Sequence, residues 1–181
     1  MVEIDYDPDY AINIWTDIEG HLSLNECVFL SMLSYSYQHG KALEIGAFKG
    51  KSACLLGRHC SILSIDPFVN TYMIGDESVY EEYITNVNKH VKRFKVLKMT
   101  SDTAINYINS RFDIIFIDGD HSEEAVNSDI INYYPLLNEN GIILFHDFLN
   151  PHWLGVKRAY NMHANKFRYY GNIDNMRWCI K

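Results

Sequence analysis

Two segments, FDIIFID (112–118) and GIILFHD (141–147), constrain the fold of this 181-residue chain more than any other feature. Each is a short apolar, β-branched run whose polar residues lie at its ends, the pattern of a strand buried on both faces of a parallel sheet. Parallel neighbours need long crossovers, so strands of this kind imply helices between them. The chain supplies them. LSLNECVFLSMLSYSY (22–37) has helical spacing, with Ser23 and Glu26 as a capping box at its start and Gly40 marking its end. KALEIGA (41–47) reads as a strand and turn, 49–59 as a helix and SILSID (61–66) as a strand. Ser78 and Glu81 form a second capping box that opens a helix to about His90. FKVLKM (94–99) is a strand, and SDTAINYIN (101–109), 122–134 and 153–163 are helices. FRYYG (167–171) and MRWCI (176–180), parted by a turn at Asn172–Asn175, form a terminal hairpin. The alternation predicts a doubly wound α/β sandwich.

Composition narrows the setting. With 48% hydrophobic and 22% charged residues, the chain suits one domain with its own core. We divide it into an acidic N-terminal segment and helix (1–40), a candidate cap or oligomer contact, and a main domain (41–181). No apolar run approaches the roughly 20 residues of a membrane helix. The start, MVEIDYDPDYAINIW, is acidic where a secretory signal is basic and then apolar, so a cytoplasmic location is expected. Cys27, Cys54, Cys60 and Cys179 form no CxxC and read as reduced packing residues. The net charge of −7 argues against nucleic acid, whose phosphates demand a basic footprint. Residues 1–20 carry six acids and no Lys or Arg, while 151–181 carry six basic residues and one acid. These are solvated faces, or they pair within the chain or across a homodimer.

Ligands of doubly wound sheets bind at the carboxyl ends of the strands. Polar residues cluster at those ends: Glu44 with the loop Gly46–Gly50, Asp66, Thr100–Asp102, Asp118–His121 and His146–Asp147. The loop Gly46-Ala47-Phe48-Lys49-Gly50-Lys51-Ser52 opens a helix, whose N-terminus favours negative charge. A dinucleotide GxGxxG needs glycine at position 48, which is Phe, and a phosphate-binding GxxxxGK[ST] needs glycine at 45, which is Ile. What remains is ExGxxxG. A carboxylate at Glu44 repels pyrophosphate but attracts an amino-acid cation such as that of S-adenosylmethionine. Asp66 is spaced to accept from both ribose hydroxyls, and Ser101 or Asp102 to meet the adenine amino group.

LEIGAFKGKS, SIDPF, FIDGDHSEEAVNSDI and GIILFHDF together resemble the motifs of class I S-adenosylmethionine-dependent methyltransferases. They are most similar to a small bacterial group with a DGDH motif, related to catechol and caffeoyl-CoA O-methyltransferases and to macrolide sugar O-methyltransferases. The resemblance covers about residues 41–150. It implies a Rossmann-like, mostly parallel seven-stranded sheet with a C-terminal antiparallel hairpin, and a small hydroxylated methyl acceptor. Cofactor contacts fall on Glu44, Gly46, Ala47, Phe48, Gly50, Ser52, Asp66, Pro67, Ser101, Asp102 and Asp118.

Methyl transfer to a neutral alcohol needs a positioned base or a metal that lowers the hydroxyl pKa. The resemblance makes His121 the candidate base beside Asp118. It also makes Asp118, His146 and Asp147 candidate ligands of Mg²⁺ or another divalent metal. His146 departs from the family's oxygen ligands. It tilts the site toward Mn²⁺, Zn²⁺ or Fe²⁺, or serves instead as an acid/base or substrate contact. Asp120 reads as the cap of the next helix. Three rivals stay open: a non-catalytic S-adenosylmethionine-binding scaffold, a metal-dependent oxygenase-type relative, and a nucleotide hydrolase acting through Lys51-Ser52.

Overall fold

The strands are β1 (Lys41–Ile45), β2 (Ser61–Ile65), β3 (Phe94–Leu97), β4 (Phe112–Ile117), β5 (Leu137–Phe145), β6 (Tyr169–Ile173) and β7 (Met176–Ile180). In the computed structural model, which describes residues 7–69 and 78–181, they form one sheet of order β3-β2-β1-β4-β5-β7-β6. β1 to β5 are mutually parallel, and β7 runs antiparallel to both β5 and β6. The expected α/β sandwich with its terminal hairpin is thus the fold. Strand order reverses between β1 and β4, which opens a crevice at their carboxyl ends.

Helices α1 (Pro8–Asp17), α2 (Leu24–Ser36), α3 (Lys51–Gly57) and α4 (Ser78–His90) cover one face, and α5 (Ser101–Ala104), α6 (Glu123–Tyr133) and α7 (Leu154–His163) the other. The central strands feed both layers, as their unbroken apolar runs require. Ile114, Phe116, Ile142 and Leu144 face the first, and Ile115, Ile117, Ile143 and Phe145 the second.

Local differences from the sequence reading have local causes. α1 was not expected. Asp7 caps it by accepting from the N–H groups of Asp9 and Tyr10, with Pro8 in its first turn, and Tyr10, Ala11 and Ile14 enter the first core. Residues 1–6 of the acidic segment lie outside the described residues. The box at Ser23 and Glu26 forms in both directions. The helix read over 101–109 is α-helical only to Ala104 and continues as a 3₁₀ turn, Ile105–Tyr107. β5 starts at Leu137, its polar Asn138–Asn140 accommodated by a register shift against β4. Asp120 does not cap α6. Ser122 does, by accepting from Ala125 N–H at 3.3 Å, while Asp120 accepts from Ser122 N–H at 2.8 Å. All four cysteines are free and buried. Among the described residues, no helix is long and apolar enough to cross a membrane.

Candidate active site

The crevice is a cleft of about 670 Å³ running from the loop after β1, past the end of β2, to the ends of β4 and β5. Its first wall depends on Gly46. At φ +87° this residue lies so close to the β4–α6 loop that a Cβ would sit 2.1 Å from the Asp118 carbonyl oxygen. Only glycine tolerates both the conformation and the approach. Gly50, also at φ +87°, begins α3 behind the cleft lining, where a Cβ would meet Val87 at 2.9 Å.

Asp66 ties the loop to β2. Its Oδ2 accepts from the N–H groups of Ala47 and Phe48 at 2.7 and 2.9 Å, and its Oδ1 from Phe68 N–H at 2.6 Å. A carboxylate offers about four acceptor positions, so about one stays open toward the cleft, fewer than two ribose hydroxyls require. Pro67 lines the cleft beside it, and Phe68 turns inward to pack on Tyr80 and Tyr83.

Glu44 does not line the cleft. It lies fully buried beneath the loop, where its carboxylate accepts from the hydroxyls of Ser52 and Ser64. Burial pushes its pKa up to about 7, against the pull of those hydrogen bonds. Ser52 touches the cleft but spends its proton on Glu44.

Lys51 is not free for phosphate. Its ammonium donates to the carbonyls of Trp15 and Gly20 at 3.1 and 3.3 Å, clamping the α1–α2 linker over the glycine loop. That arrangement removes the ground for the hydrolase reading. The clamped linker forms a lip: Glu19, Gly20, His21 and Leu22 border the cleft, and His21 stacks on Phe48 at 6.2 Å. Tyr10 instead lies buried, donating to the Cys54 carbonyl, with Arg58 over its ring.

At the β3 end, Thr100 and Ser101 line the cleft. The Asp102 carboxylate turns away to accept from the Ser128 hydroxyl at 2.6 Å. Asp129 of α6 lines this end in its place. It is 2% exposed, and its Oδ1 has no hydrogen-bond partner. Burial raises its pKa to about 7; a Ser101 hydrogen bond opposes the rise and the charges of Asp102 and Asp120 add to it.

The ends of β4 and β5 bring together Asp118, His121, His146 and Asp147, with one ligand atom from each within 4.8 Å of the others. His146 Nδ1 lies 3.0 Å from Asp118 Oδ1 and 3.4 Å from Asp147 Oδ2, and His121 Nε2 lies 3.1 Å from Asp147 Oδ2. Neither ring nitrogen makes a well-aligned hydrogen bond, although both are buried. Nitrogens crowded against carboxylates without hydrogen-bond geometry are arranged as a cation-binding donor set would be, and the residues fit a divalent ion. Asp147 adopts φ +55°, a costly conformation for a non-glycine residue, with its Oδ1 held by Asn150 at 2.8 Å. Burial alone would make the imidazoles less basic. The carboxylates outweigh it, raising His121 to about 9 and His146 to about 12. Asp118 and Asp147 resist protonation despite burial, because both imidazoles face them.

Two residues outside the strand-end clusters complete this end. Trp153 stacks on His121 at 4.8 Å and 24° and walls the cleft mouth. Glu26 of α2 reaches His146 from behind. An exposed tryptophan just after the last cleft strand could have been noticed. Glu26 was visible only as a helix cap.

A family model for a methyltransferase domain matches residues 43–148, more than half of the chain. The chain belongs to this methyltransferase family. The match runs from β1 through the end of β5, so it spans the glycine loop, Asp66 and the His–Asp cluster. A protein of Acanthamoeba polyphaga mimivirus is 32% identical over an alignment of 119 residues that covers 61% of this chain and 52% of that protein. The chain thus spans about half of that relative's length. Among solved structures, cofactor-bound Rv0187 from MTB shares the fold with a TM-score of 0.73 at 15% identity, over 99% of this chain and 92% of that one. An O-methyltransferase from Bacillus cereus in complex with SAH does so with a TM-score of 0.70 at 17% identity, over 99% and 94%.

Proposed function

We propose that this methyltransferase domain moves the methyl group of S-adenosylmethionine onto an oxygen of a small hydroxylated acceptor, assisted by a divalent cation on Asp118, His146 and Asp147. The observation that carries the reading is the continuity of one cleft from the glycine loop and Asp66 to the His–Asp cluster. Support for oxygen as the target comes from the Bacillus cereus neighbour, an O-methyltransferase in complex with SAH. The run Asp118-Gly119-Asp120-His121 at the end of β4 supports placing the chain in the DGDH-motif group.

The cofactor's amino-acid end lies against Gly46, Ala47 and Phe48, with Gly50 and Ser52 supporting the loop and Glu44 beneath it. The open position of Asp66 takes a ribose hydroxyl, and Pro67 packs beside it. Ser101 and Asp129 hold the adenine, the unpaired Oδ1 of Asp129 accepting from the 6-amino group. Asp102 acts there only by fixing Ser128. In the transfer, the acceptor oxygen attacks the methyl carbon in line, the carbon–sulfur bond breaks, and S-adenosylhomocysteine leaves as a neutral thioether. Holding the oxygen against the methyl supplies much of the rate. His121 Nε2 takes the hydroxyl proton, with Trp153 fixing the plane of the ring. A cation in the cluster supplies Lewis acidity that lowers the hydroxyl pKa. Held by Asp118, His146 and Asp147, a cation would also draw on the two carboxylates that keep His121 protonated, and so would free Nε2 to accept.

Calorimetric titration with S-adenosylhomocysteine, with NAD and ATP as controls and with or without Mg²⁺ and Mn²⁺, tests the cofactor. A methyl-transfer screen over small hydroxylated compounds follows. Binding of NAD or ATP in place of S-adenosylhomocysteine overturns the reading. A donor set of two imidazoles and two carboxylates also suits Fe²⁺. Iron-dependent oxygen consumption without methyl transfer selects the oxygenase-type alternative. Cofactor binding with no transfer to any acceptor selects the scaffold. Sedimentation tests the homodimer.

A further inference from the structure

Glu26 occupies the third position of α2, where its carboxylate closes the capping box by accepting from Ser23 N–H at 2.8 Å. Its Oε1 accepts from Asn175 N–H, in the β6–β7 turn, at 3.1 Å. Oε2 also lies 3.3 Å from His146 Nε2. Glu26 is 1% exposed and His146 3%, so water does not compete for either. A carboxylate receiving backbone N–H groups faces the ring only as an acceptor, so Nε2 must be the protonated nitrogen. The other nitrogen, Nδ1, faces Asp118 and Asp147, and it is the one whose lone pair the neutral ring would offer to a cation held between them. It is the nitrogen that makes no aligned hydrogen bond.

We propose that Glu26 is a positioning residue for the cation site: it orients His146 so that Nδ1 joins Asp118 and Asp147, and so makes the site prefer Mn²⁺, Co²⁺ or Zn²⁺ over Mg²⁺. The inference rests on the cation-assisted reading above. Mg²⁺ takes oxygen ligands in a near-octahedral shell and gives up its waters reluctantly, whereas imidazole suits the later ions. A carboxylate behind a ligating imidazole fixes the ring's tautomer and raises its basicity, which typically changes metal affinity by about 10–100-fold. The pairing is also structural, because Glu26 joins α2 and the terminal hairpin to the cleft. The test therefore has to separate the two roles.

The full chain, stripped of metal, is titrated calorimetrically with MnCl₂, CoCl₂ and MgCl₂, with the visible absorption of Co²⁺ followed in parallel. S-adenosylhomocysteine is titrated into the same samples. Wild type is expected to bind Mn²⁺ and Co²⁺ at least about tenfold tighter than Mg²⁺. Glu26→Gln is expected to weaken Co²⁺ by about 10–100-fold and to alter its spectrum, with S-adenosylhomocysteine affinity unchanged. Ser23→Ala breaks the cap without touching the Glu26–His146 contact and is expected to lower the melting temperature while leaving metal affinity unchanged. Equal Mg²⁺ and Mn²⁺ affinity in wild type overturns the proposal, and that result needs no variant to fold. So does unchanged Co²⁺ binding in Glu26→Gln, or an equal loss in Ser23→Ala. Failure of wild type to bind any of these ions, with S-adenosylhomocysteine still bound, removes the cation from the mechanism and leaves the methyltransferase reading standing. Loss of both would remove that reading as well.

Discussion

Glu26 and His146 are 120 residues apart in the chain, and their side chains meet at 3.3 Å inside the protein. The contact joins the helix that precedes the sheet to the end of its fifth strand. His146 turns Nε2 to Glu26 and Nδ1 to Asp118 and Asp147. Glu26 lies far outside the strand-end clusters, and the role proposed for it makes the cation site depend on that contact.

His121→Gln removes the proton acceptor while keeping a polar side chain next to Trp153. In metal-loaded protein with a turning-over acceptor, kcat is expected to fall by about 10²–10⁴-fold. S-adenosylhomocysteine affinity, measured by calorimetry, is expected to change less than about twofold, because the proposed function puts His121 at the acceptor end of the cleft, away from the cofactor contacts. Unchanged turnover would exclude His121 as the base.

Gly46→Ala places a methyl group 2.1 Å from a backbone carbonyl, at a φ of +87° that alanine rarely adopts. The β1 loop must then withdraw from the β4–α6 loop, and both walls of the cleft move. The expected result is a stability loss of about 2 kcal/mol or more and no measurable S-adenosylhomocysteine binding. Denaturant unfolding and calorimetry check the two parts, and wild-type cofactor affinity in a folded variant would refute the second.

Glu44 sets a pH dependence of stability. Its pKa is raised from 4.5 to about 7 on folding, chiefly by burial. The folded state then holds more protons than the unfolded state between those values. Its contribution to stability is complete below about pH 4.5 and is lost as pH rises through 7. The loss is on the order of 3 kcal/mol. Glu44→Gln is expected to flatten the fall between pH 5 and pH 8 by that order, read from urea unfolding at each pH. Asp129, raised to about 7 as well, leaves a residual slope.

Asp129→Asn tests the adenine contact. Above about pH 8, where Asp129 is ionised, wild type is expected to bind S-adenosylhomocysteine at least about tenfold tighter than its 6-oxo analogue S-inosylhomocysteine, because a carboxylate accepts from an amino group and repels a carbonyl. Asparagine can rotate an amide N–H toward the carbonyl, so the preference is expected to shrink. An unchanged ratio in competition calorimetry would place the adenine elsewhere.

FDIIFID and GIILFHD were legible as buried strands because a parallel sheet covered on both faces demands unbroken apolar runs, a purely local signature. The capping box at Ser23 was equally local, and α1 would have been too, since Asp7 and Pro8 carry a helix-start signal that we did not use. Residue types at the strand ends likewise located the cleft before its shape was seen.

What each of those residues does there was decided only by folding. Glu44 and Asp66 are both acids at the ends of adjacent strands. One is sealed under the loop by two hydroxyls, while the other keeps about one acceptor position for a ligand. Asp102 and Asp129 are both aspartates near the β3 end, yet only Asp129 lines the cleft, with one carboxylate oxygen left without a hydrogen-bond partner. The difference is one of partners. Sequence periodicity determines which face a side chain takes, but hydrogen-bond partners such as Ser64, Ser128 and Glu26 come from distant parts of the chain. Those partners set ionisation, orientation and access.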